Sequence, residues 1–485
     1  LLMQLLRWLG AFGTPVVLLS ATVTARSARQ LITAYLEGAL GRCRAGDLAG
    51  RAVVHYPGWA YADAAGGVIT AVPVPLPARP PLRVDLRDVA RPVTPDAGSA
   101  GPDREAVLRT ELSGLTADGG CALVICTTVD EAQQTFCQLR TWFAGLEASG
   151  TTAPELELLH ARFPAWQRAE ITGRVMERYG KKGHRHGDRP RAAVLVATAI
   201  VEQSLDLDFD LIISDLAPVA LLLQRAGRCW RHEDPGVISR PAWAAGPRLV
   251  VLVPPGGPGK PQMFASWKAI YDESLLAATY RLLASREVIR IPGDVQELVD
   301  AVYDDPDLIA GLEEAATARL GQEIAQMQMS GLVSIPRPWN VDSLYELTSS
   351  DIDPELLATR FDADSVRVLP VFADDAGGTW LDAARRIPVP GASGQRPTRA
   401  ECRMIIERTI PVRGGAWLNR GDASSDPPQS WKPDVHLHDL VLLTHHVHAD
   451  GAIEPARAGG REFLLDQVLG LRAPRRSGGS GASLV

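Results

Sequence analysis

"RAAVLVATAIVEQSLDLDFDLIISDLAPVALLLQRAGRCWRHED" runs from Arg191 to Asp234, and its reading decides the fold. "RAAVLVAT" and "FDLIISD" are short, nearly continuous apolar runs, the pattern of strands buried on both faces of a parallel sheet. Thr198 stands at the end of the first, and Glu202, Gln203, Ser204 and Asp206 follow in a loop. Loops at the carboxyl ends of parallel strands are where α/β sheets bind ligands. The second strand feeds a segment read as a helix that carries Arg225, Arg228 and Arg231. On a helix Gln224, Arg228 and Arg231 form one stripe at i, i+4 and i+7, with Arg225 to the side. Gly227 would keep that surface low for a partner. Guanidinium forks match phosphate oxygens and stay charged. An isolated run of this kind also fits a solvated basic face paired with Glu233 and Asp234, and Thr198 and Asp206 also fit simple turn caps.

Working outward, the same alternation continues. "CALVICTT", "LELLHAR" and "RLVVLVP" read as strands, while "VDEAQQTFCQLRTWFAG" and "PAWQRAEITGRVMERYG" read as helices. The pattern predicts an α/β domain with a doubly wound parallel sheet of about 150 residues. Near the start, "PVVLLSAT" reads as another buried strand and "ARSARQLITAYLEGALG" as a helix closed by Gly41. Pro-rich text from Val74 to Pro102 cannot hold a helix and reads as a connection. "PPGGPGKPQ" marks a further boundary, and helical text follows to about Gln328. Beyond Pro336, pieces such as "SVRVLPVF" and "DLVLLTHHV" predict a separate, smaller, mainly β domain.

Composition sets outer limits. The 485 residues allow two or three domains, with 46% hydrophobic and 22% charged residues, as in an ordinary globular protein. A net charge of -7 means that any polyanion must meet a local basic patch. Six dispersed cysteines without a C-x-x-C pair argue against a zinc ribbon or disulfide framework and suit a reducing cytosol. The apolar start is interrupted by Arg7 and by Gly13-Thr14-Pro15, so neither a signal peptide nor a membrane span is expected. Leu1 is not an initiator and the first residues read as mid-helix, so further chain is expected upstream.

The order and spacing of these pieces carry a resemblance. "SAT" (Ser20, Ala21, Thr22) resembles motif III of superfamily 2 helicases, "VATAIVEQSLDLDFD" motif V, and "LLQRAGRCWRH" motif VI. The wording of the last two is similar to the CRISPR-associated helicase–nuclease of type I systems. "LLHARFPAWQR", "WKAIYDESLL", "IPGDVQELVDAVYDD", "TRFDADSVRVLPVF" and "FLLDQVLGL" are similar to further segments of that family. At Thr127, many relatives carry Asn.

The resemblance implies a motor of two RecA-like domains with ATP between them. It implies that residues 1–45 close the first RecA-like domain, 46–102 connect, and 103–255 form the second RecA-like domain. A helical linker (256–335), a C-terminal domain (336–472) and a disordered tail (473–485) would follow. Arg231, as arginine finger, and Arg228 would be the catalytic cations. Gln224, Arg225, Gly227 and Asp206 would serve ATP, and Ser20, Ala21 and Thr22 would couple its state to closure. Thr198, Gln203, Ser204, His160 and Arg162 would contact single-stranded DNA.

The implied cofactors are ATP and Mg²⁺. The implied partners are single-stranded DNA and the guide-RNA surveillance complex, Cascade, in the cytoplasm. No G-x-x-x-x-G-K-[ST] loop or Asp-Glu-x-His segment appears, and no HD-type nuclease, so this chain alone is expected to be inactive. It reads as part of a whole enzyme, or else as a non-catalytic subunit or remnant that binds DNA or the guide-RNA complex and completes a split motor. The histidines of "DVHLHDLVLLTHHVHAD" (His436, His438, His445, His446, His448) are assigned to no metal, although imidazole and carboxylate at that density suit one. "GKKGHRHGDRPR" reads as a solvated basic loop or a phosphate contact.

Overall fold

The computed structural model describes residues 2–41, 55–63, 68–76, 79–90, 103–181, 183, 187–202, 205–232, 240–257, 259, 262–332, 337–341, 365–392, 394–413 and 426–473. The chain divides into two compact units. The first takes Leu1–Pro102, Leu216–Cys229 and Gly246–Phe361, and the second Asp103–Asp215, Trp230–Ala245 and Asp362–Val485. Strands are numbered along the chain: β1 (Gly58–Asp63), β2 (Val68–Pro73), β3 (Leu82–Asp88), β4 (Gly120–Ile125), β5 (Glu155–Leu159), β6 (Ala192–Ala197), β7 (Leu211–Asp215), β8 (Arg248–Val253), β9 (Val288–Ile289) and β10 (Ser365–Ala373). Among the described residues no helix is long and apolar enough to cross a membrane.

The second unit carries the parallel order β5-β6-β4-β7. Residues Cys121–Ile125, Ala193–Ala197 and Leu211–Ile213 are fully buried, as their unbroken apolar runs require. Helix Val129–Ala148 connects β4 to β5 and starts at a capping box in which Thr128 and Glu131 satisfy each other's backbone N–H. Helix Ala165–Tyr179 leads back toward β6. The α/β class and these elements match the sequence reading.

The C-terminal part of the second unit is built on β10, whose alternation feeds two cores. Val368 packs with Ile410, Val412, Leu443, Phe463 and Leu471. Leu369 and Val371 pack with Leu381, Ile405, Trp431 and Leu440 on the opposite side. This part is not separate as expected. The N–H groups of Ala165 and Trp166, at the start of a helix and lacking intrahelical partners, donate to the carbonyls of Thr409 (3.2 Å) and Glu407 (2.8 Å).

In the first unit, helices Leu2–Ala11 and Ala25–Leu40 cross where both carry glycine. A Cβ at Gly10 would lie 2.1 Å from the Tyr35 carbonyl oxygen, and one at Gly38 1.8 Å from that of Arg7. Here β3 pairs parallel with β8 and antiparallel with β9. Three expectations change. The connection predicted for 46–102 contains the hairpin β1–β2 and the sheet strand β3, where Leu82 and Val84 are buried and Asp85 pairs with Arg248 at 2.6 Å. Residues 14–24 hold no regular structure, and Val17 (82%) and Leu19 (94%) are exposed, because no described strand pairs with them. The arginine helix spans only Val219–Ala226, so Arg228 and Arg231 lie beyond its end.

The chain leaves that helix through i→i+3 bonds, from Arg228 N–H to the Arg225 carbonyl and from Cys229 N–H to that of Ala226. Trp230 then takes a positive φ of 51°, uncommon for a bulky residue. A buried charge network holds this reversal. Asp208 and Asp210 are 0% and 2% exposed. Arg240 reaches both Asp208 oxygens at 3.0 Å and Asp210 at 2.7 Å, and Arg189 reaches Asp210 at 2.9 Å. The backbone N–H of Arg231 donates to Asp208 at 2.7 Å and that of Cys121 to Asp210 at 2.7 Å. Buried charges persist only when paired and hydrogen-bonded, and removing one partner strands the others. Asp208→Ala is therefore expected to destabilise the fold by about 3–5 kcal/mol in denaturant titration, and a change under about 1 kcal/mol would contradict this account.

Candidate nucleotide site and its coupling contacts

In the second unit Thr198 stands at the carboxyl end of β6, as expected, but Asp206, Asp208 and Asp210 lie at the amino end of the sheet, ahead of β7 and beside the starts of β4 and β6. Asp206 accepts hydrogen bonds from Arg231 Nε at 2.5 Å and from His232 Nε2 at 3.1 Å. Burial pushes the Asp206 carboxyl up, but the hydrogen bonds and charges of Arg231 and His232 more than offset this, holding it below its ordinary value. The pair is open to water, with Arg231 38% and Asp206 46% exposed. Ion pairs this exposed contribute about 0–1 kcal/mol. Asp206 thus orients Arg231 through a contact that itself adds little stability. Arg189 and Arg240, 13% and 10% exposed and committed to Asp208 and Asp210, are structural cations.

In the first unit Gln224 Nε2 donates to the hydroxyl of Thr22 at 3.3 Å, and Ser20 Oγ donates to the Thr22 carbonyl at 2.6 Å. Two segments about 200 residues apart, predicted to serve nucleotide and coupling, therefore touch. Gly227 is the residue that ends the helix, with a right-handed φ of -61°. Arg228 is partly buried in the turn that follows. Arg225, expected beside the phosphate stripe, is fully buried instead and donates to the Tyr271 hydroxyl at 2.9 Å.

Of the residues expected at DNA, Thr198 is 8% exposed at the end of β6, and Gln203 and Ser204 lie outside the described residues. Arg162 pairs with Asp130 at 2.5 Å. The structure places His160 in the core of the second unit, at 0% exposure, stacked on Phe163 with ring centroids 4.3 Å apart. Its Nδ1 accepts from Arg162 N–H at 3.1 Å, and its Nε2 lies 3.1 Å from the Leu469 carbonyl. Gln133 Nε2 donates to the carbonyls of Leu469 (2.7 Å) and Leu471 (3.2 Å), and Leu471 N–H donates to that of Arg162 (2.8 Å). Gly470, at φ 68°, permits this approach, since a Cβ there would lie 2.6 Å from the Arg162 carbonyl oxygen. His160 thus fastens the C-terminal part and offers no face to a strand of DNA.

The sequence reading also missed Arg104. It reaches Asp215 at 2.7 Å, while the other Asp215 oxygen accepts from Thr127 N–H at 2.7 Å. For Asp208 and Asp210 a signal existed in the alternating Asp206-x-Asp208-x-Asp210. Among the histidines, His445 is buried on Phe372, and burial pushes it down to about 4. His446 and His448 face Asp375 and Glu454, each at 2.9 Å. Among the described residues no group of three His, Cys, Asp or Glu side chains could hold a metal ion.

Residues 118–234 match the family model for "CRISPR-associated nuclease/helicase Cas3, C-terminal". The CRISPR-associated endonuclease/helicase Cas3 of Thermus thermophilus is 32% identical over 91% of this chain and 49% of its own length. The chain thus spans about half the length of that relative. The crystal structure of T. fusca Cas3 with ATP aligns with a TM-score of 0.87 and 47% identity, covering 97% of this chain and 52% of that one. A chain in a CRISPR RNA-guided surveillance complex, pre-nicking, aligns with a TM-score of 0.80 and 44% identity, over 97% and 55%. Together these likenesses support a type I Cas3 C-terminal portion.

Burial, together with the Arg162 charge, pushes His160 down to about 3 from an ordinary 6.5. The unfolded chain therefore binds a proton at this position that the folded chain refuses. The His160 contribution is intact above pH 6.5 and is lost as pH falls from there toward 3. Denaturation measured across that window should show stability falling with acid, and His160→Gln should flatten the slope. An unchanged slope in the variant would contradict the assignment.

Proposed function

We propose that this chain is the C-terminal portion of a type I CRISPR-associated helicase–nuclease of the Cas3 kind. In the complete enzyme it completes an ATP pocket and part of a single-stranded DNA track at the R-loop of the guide-RNA surveillance complex. The observation that carries this reading is the Asp206–Arg231 pair within the segment that the Cas3 model matches. Its neighbours support the reading: a Cas3 structure with ATP is 47% identical, and a chain of a CRISPR RNA-guided surveillance complex is 44% identical.

The chemistry follows from the charge balance. As phosphoryl transfer proceeds, negative charge spreads over the γ-phosphate and its leaving group. A guanidinium fixed in advance stabilises that charge without reorganisation. In this reading Asp206 orients Arg231 in the resting state and yields it when the triphosphate arrives. Arg228 adds a second cation. Gln224 ties the arginine segment to Thr22, so that closure over nucleotide is felt at Ser20–Thr22. Arg225 serves through packing rather than phosphate contact. No step is assigned to Mg²⁺ on this chain; in this reading it stays with ATP and the phosphate-binding lobe of the complete enzyme. Thr198, Gln203, Ser204 and Arg162 remain the proposed DNA contacts, without His160. This chain alone should turn over negligible ATP.

Arg231→Ala in the complete helicase should lower DNA-stimulated ATP turnover by about 10³-fold, and Arg231→Lys should recover little of it, because the planar fork is lost. Turnover within tenfold of the parent would contradict the assignment.

A further inference from the structure

The contact between Thr22 and Gln224 is one neutral hydrogen bond of 3.3 Å, and Thr22 sits in a segment with no regular structure. A bond this long cannot by itself hold such a segment in register. Something else must fix residues 22–25, and the first unit shows what does. On helix Val295–Asp304, Gln296 and Asp300 stand four residues apart and so share one face. Asp300 Oδ1 accepts from the backbone N–H of Ala25 at 2.9 Å. Ala25 is the first residue of helix Ala25–Leu40, so its N–H has no partner within the helix, and a carboxylate there also meets the positive end of the helix dipole. Gln296 Nε2 donates to the Val23 carbonyl at 3.2 Å and to Asp300 Oδ2 at 2.9 Å. Thr24 caps the same helix from within the chain, its hydroxyl accepting from Ser27 N–H at 3.0 Å. Asp300 and Thr24 thus satisfy different donors of one helix end.

The same helical segment also holds the arginine helix. Thr279 Oγ1 accepts from Val219 N–H, the first residue of that helix, at 3.1 Å. The Tyr271 hydroxyl accepts from Arg225 at 2.9 Å. Residues 271–300 therefore grip both partners of the Thr22–Gln224 contact, one at each helix start.

We propose that Gln296 and Asp300 are positioning residues for ATP turnover. They set the height of Thr22 against Gln224, so the helical segment after the α/β strands governs how nucleotide state passes between these two segments. The proposal rests on the nucleotide reading given above. It goes further by assigning control of that site to a segment that touches neither phosphate nor metal.

The test uses the complete helicase and three variants beside Arg231→Ala. Asp300→Ala and Gln296→Leu should each lower kcat for DNA-stimulated ATP hydrolysis about tenfold, with KM for ATP within about twofold, as expected when transition-state alignment rather than binding is lost. Asp300→Asn keeps an oxygen for Ala25 N–H and should recover at least half of the kcat that Asp300→Ala loses. Hydrogen exchange of residues 22–28 should quicken in Asp300→Ala while exchange of β4 and β6 stays at the parent rate. If Arg231→Ala abolishes hydrolysis while Asp300→Ala and Gln296→Leu keep kcat within twofold, the positioning role is overturned. An Asp300→Asn variant as impaired as Asp300→Ala, with raised exchange throughout the fold, would equally overturn it in favour of plain structural support. Hydrolysis that survives Arg231→Ala would instead remove the nucleotide reading beneath it.

Discussion

Two carboxylates buried at the end of a parallel sheet impose the constraint on which the rest depends. Asp208 and Asp210 have almost no water, so they must collect donors from the protein. They take Arg189 from one side and Arg240 from the other, together with the backbone N–H groups of Cys121 and Arg231. With the Arg231 backbone anchored inward, its side chain is left to project to the half-exposed Asp206. Two classes of arginine result within a few residues of each other. Arg189 and Arg240 are committed to the fold, whereas Arg231 meets Asp206 in a half-exposed, water-screened pair. In the proposed pocket, Arg231 is the cation oriented by an exposed partner rather than locked into the core.

The first unit applies the same economy to backbone groups. Helix starts leave N–H donors that no helical carbonyl can reach, and here side chains from the helical segment supply the acceptors: Asp300 for Ala25 and Thr279 for Val219. Each bond is ordinary in strength. Together they tie the Ser20–Thr22 segment and the arginine helix to one set of helices. The amphipathic pattern of that segment does not announce these contacts.

Much of the fold was legible because parallel strands buried on both faces have one signature. "CALVIC", "AAVLVA" and "LIIS" are unbroken apolar runs, and they are β4, β6 and β7. The same rule failed for "PVVLLSAT", since an apolar run becomes a strand only where neighbours complete its ladder, and no described strand does. It fails in the opposite sense for "LRVDLRD", whose period-two alternation is masked by the surrounding prolines. At the candidate site, residue types were readable and geometry was not. The spacing of Gln224, Arg228 and Arg231 makes a stripe only if the helix continues, and the reversal at Trp230 stops it. His160, by its position at a strand end, suggests a ligand contact. Its partner, the Leu469 carbonyl, lies 309 residues away and could not be inferred from local pattern.

The most direct measurement is a structure of the complete helicase with a non-hydrolysable ATP analogue and Mg²⁺ bound. The expected result is Arg231 withdrawn from Asp206 and seated on γ-phosphate oxygens, with Arg189 and Arg240 still on Asp208 and Asp210. Arg231 remaining on Asp206 while a different cation meets the γ-phosphate would contradict the account.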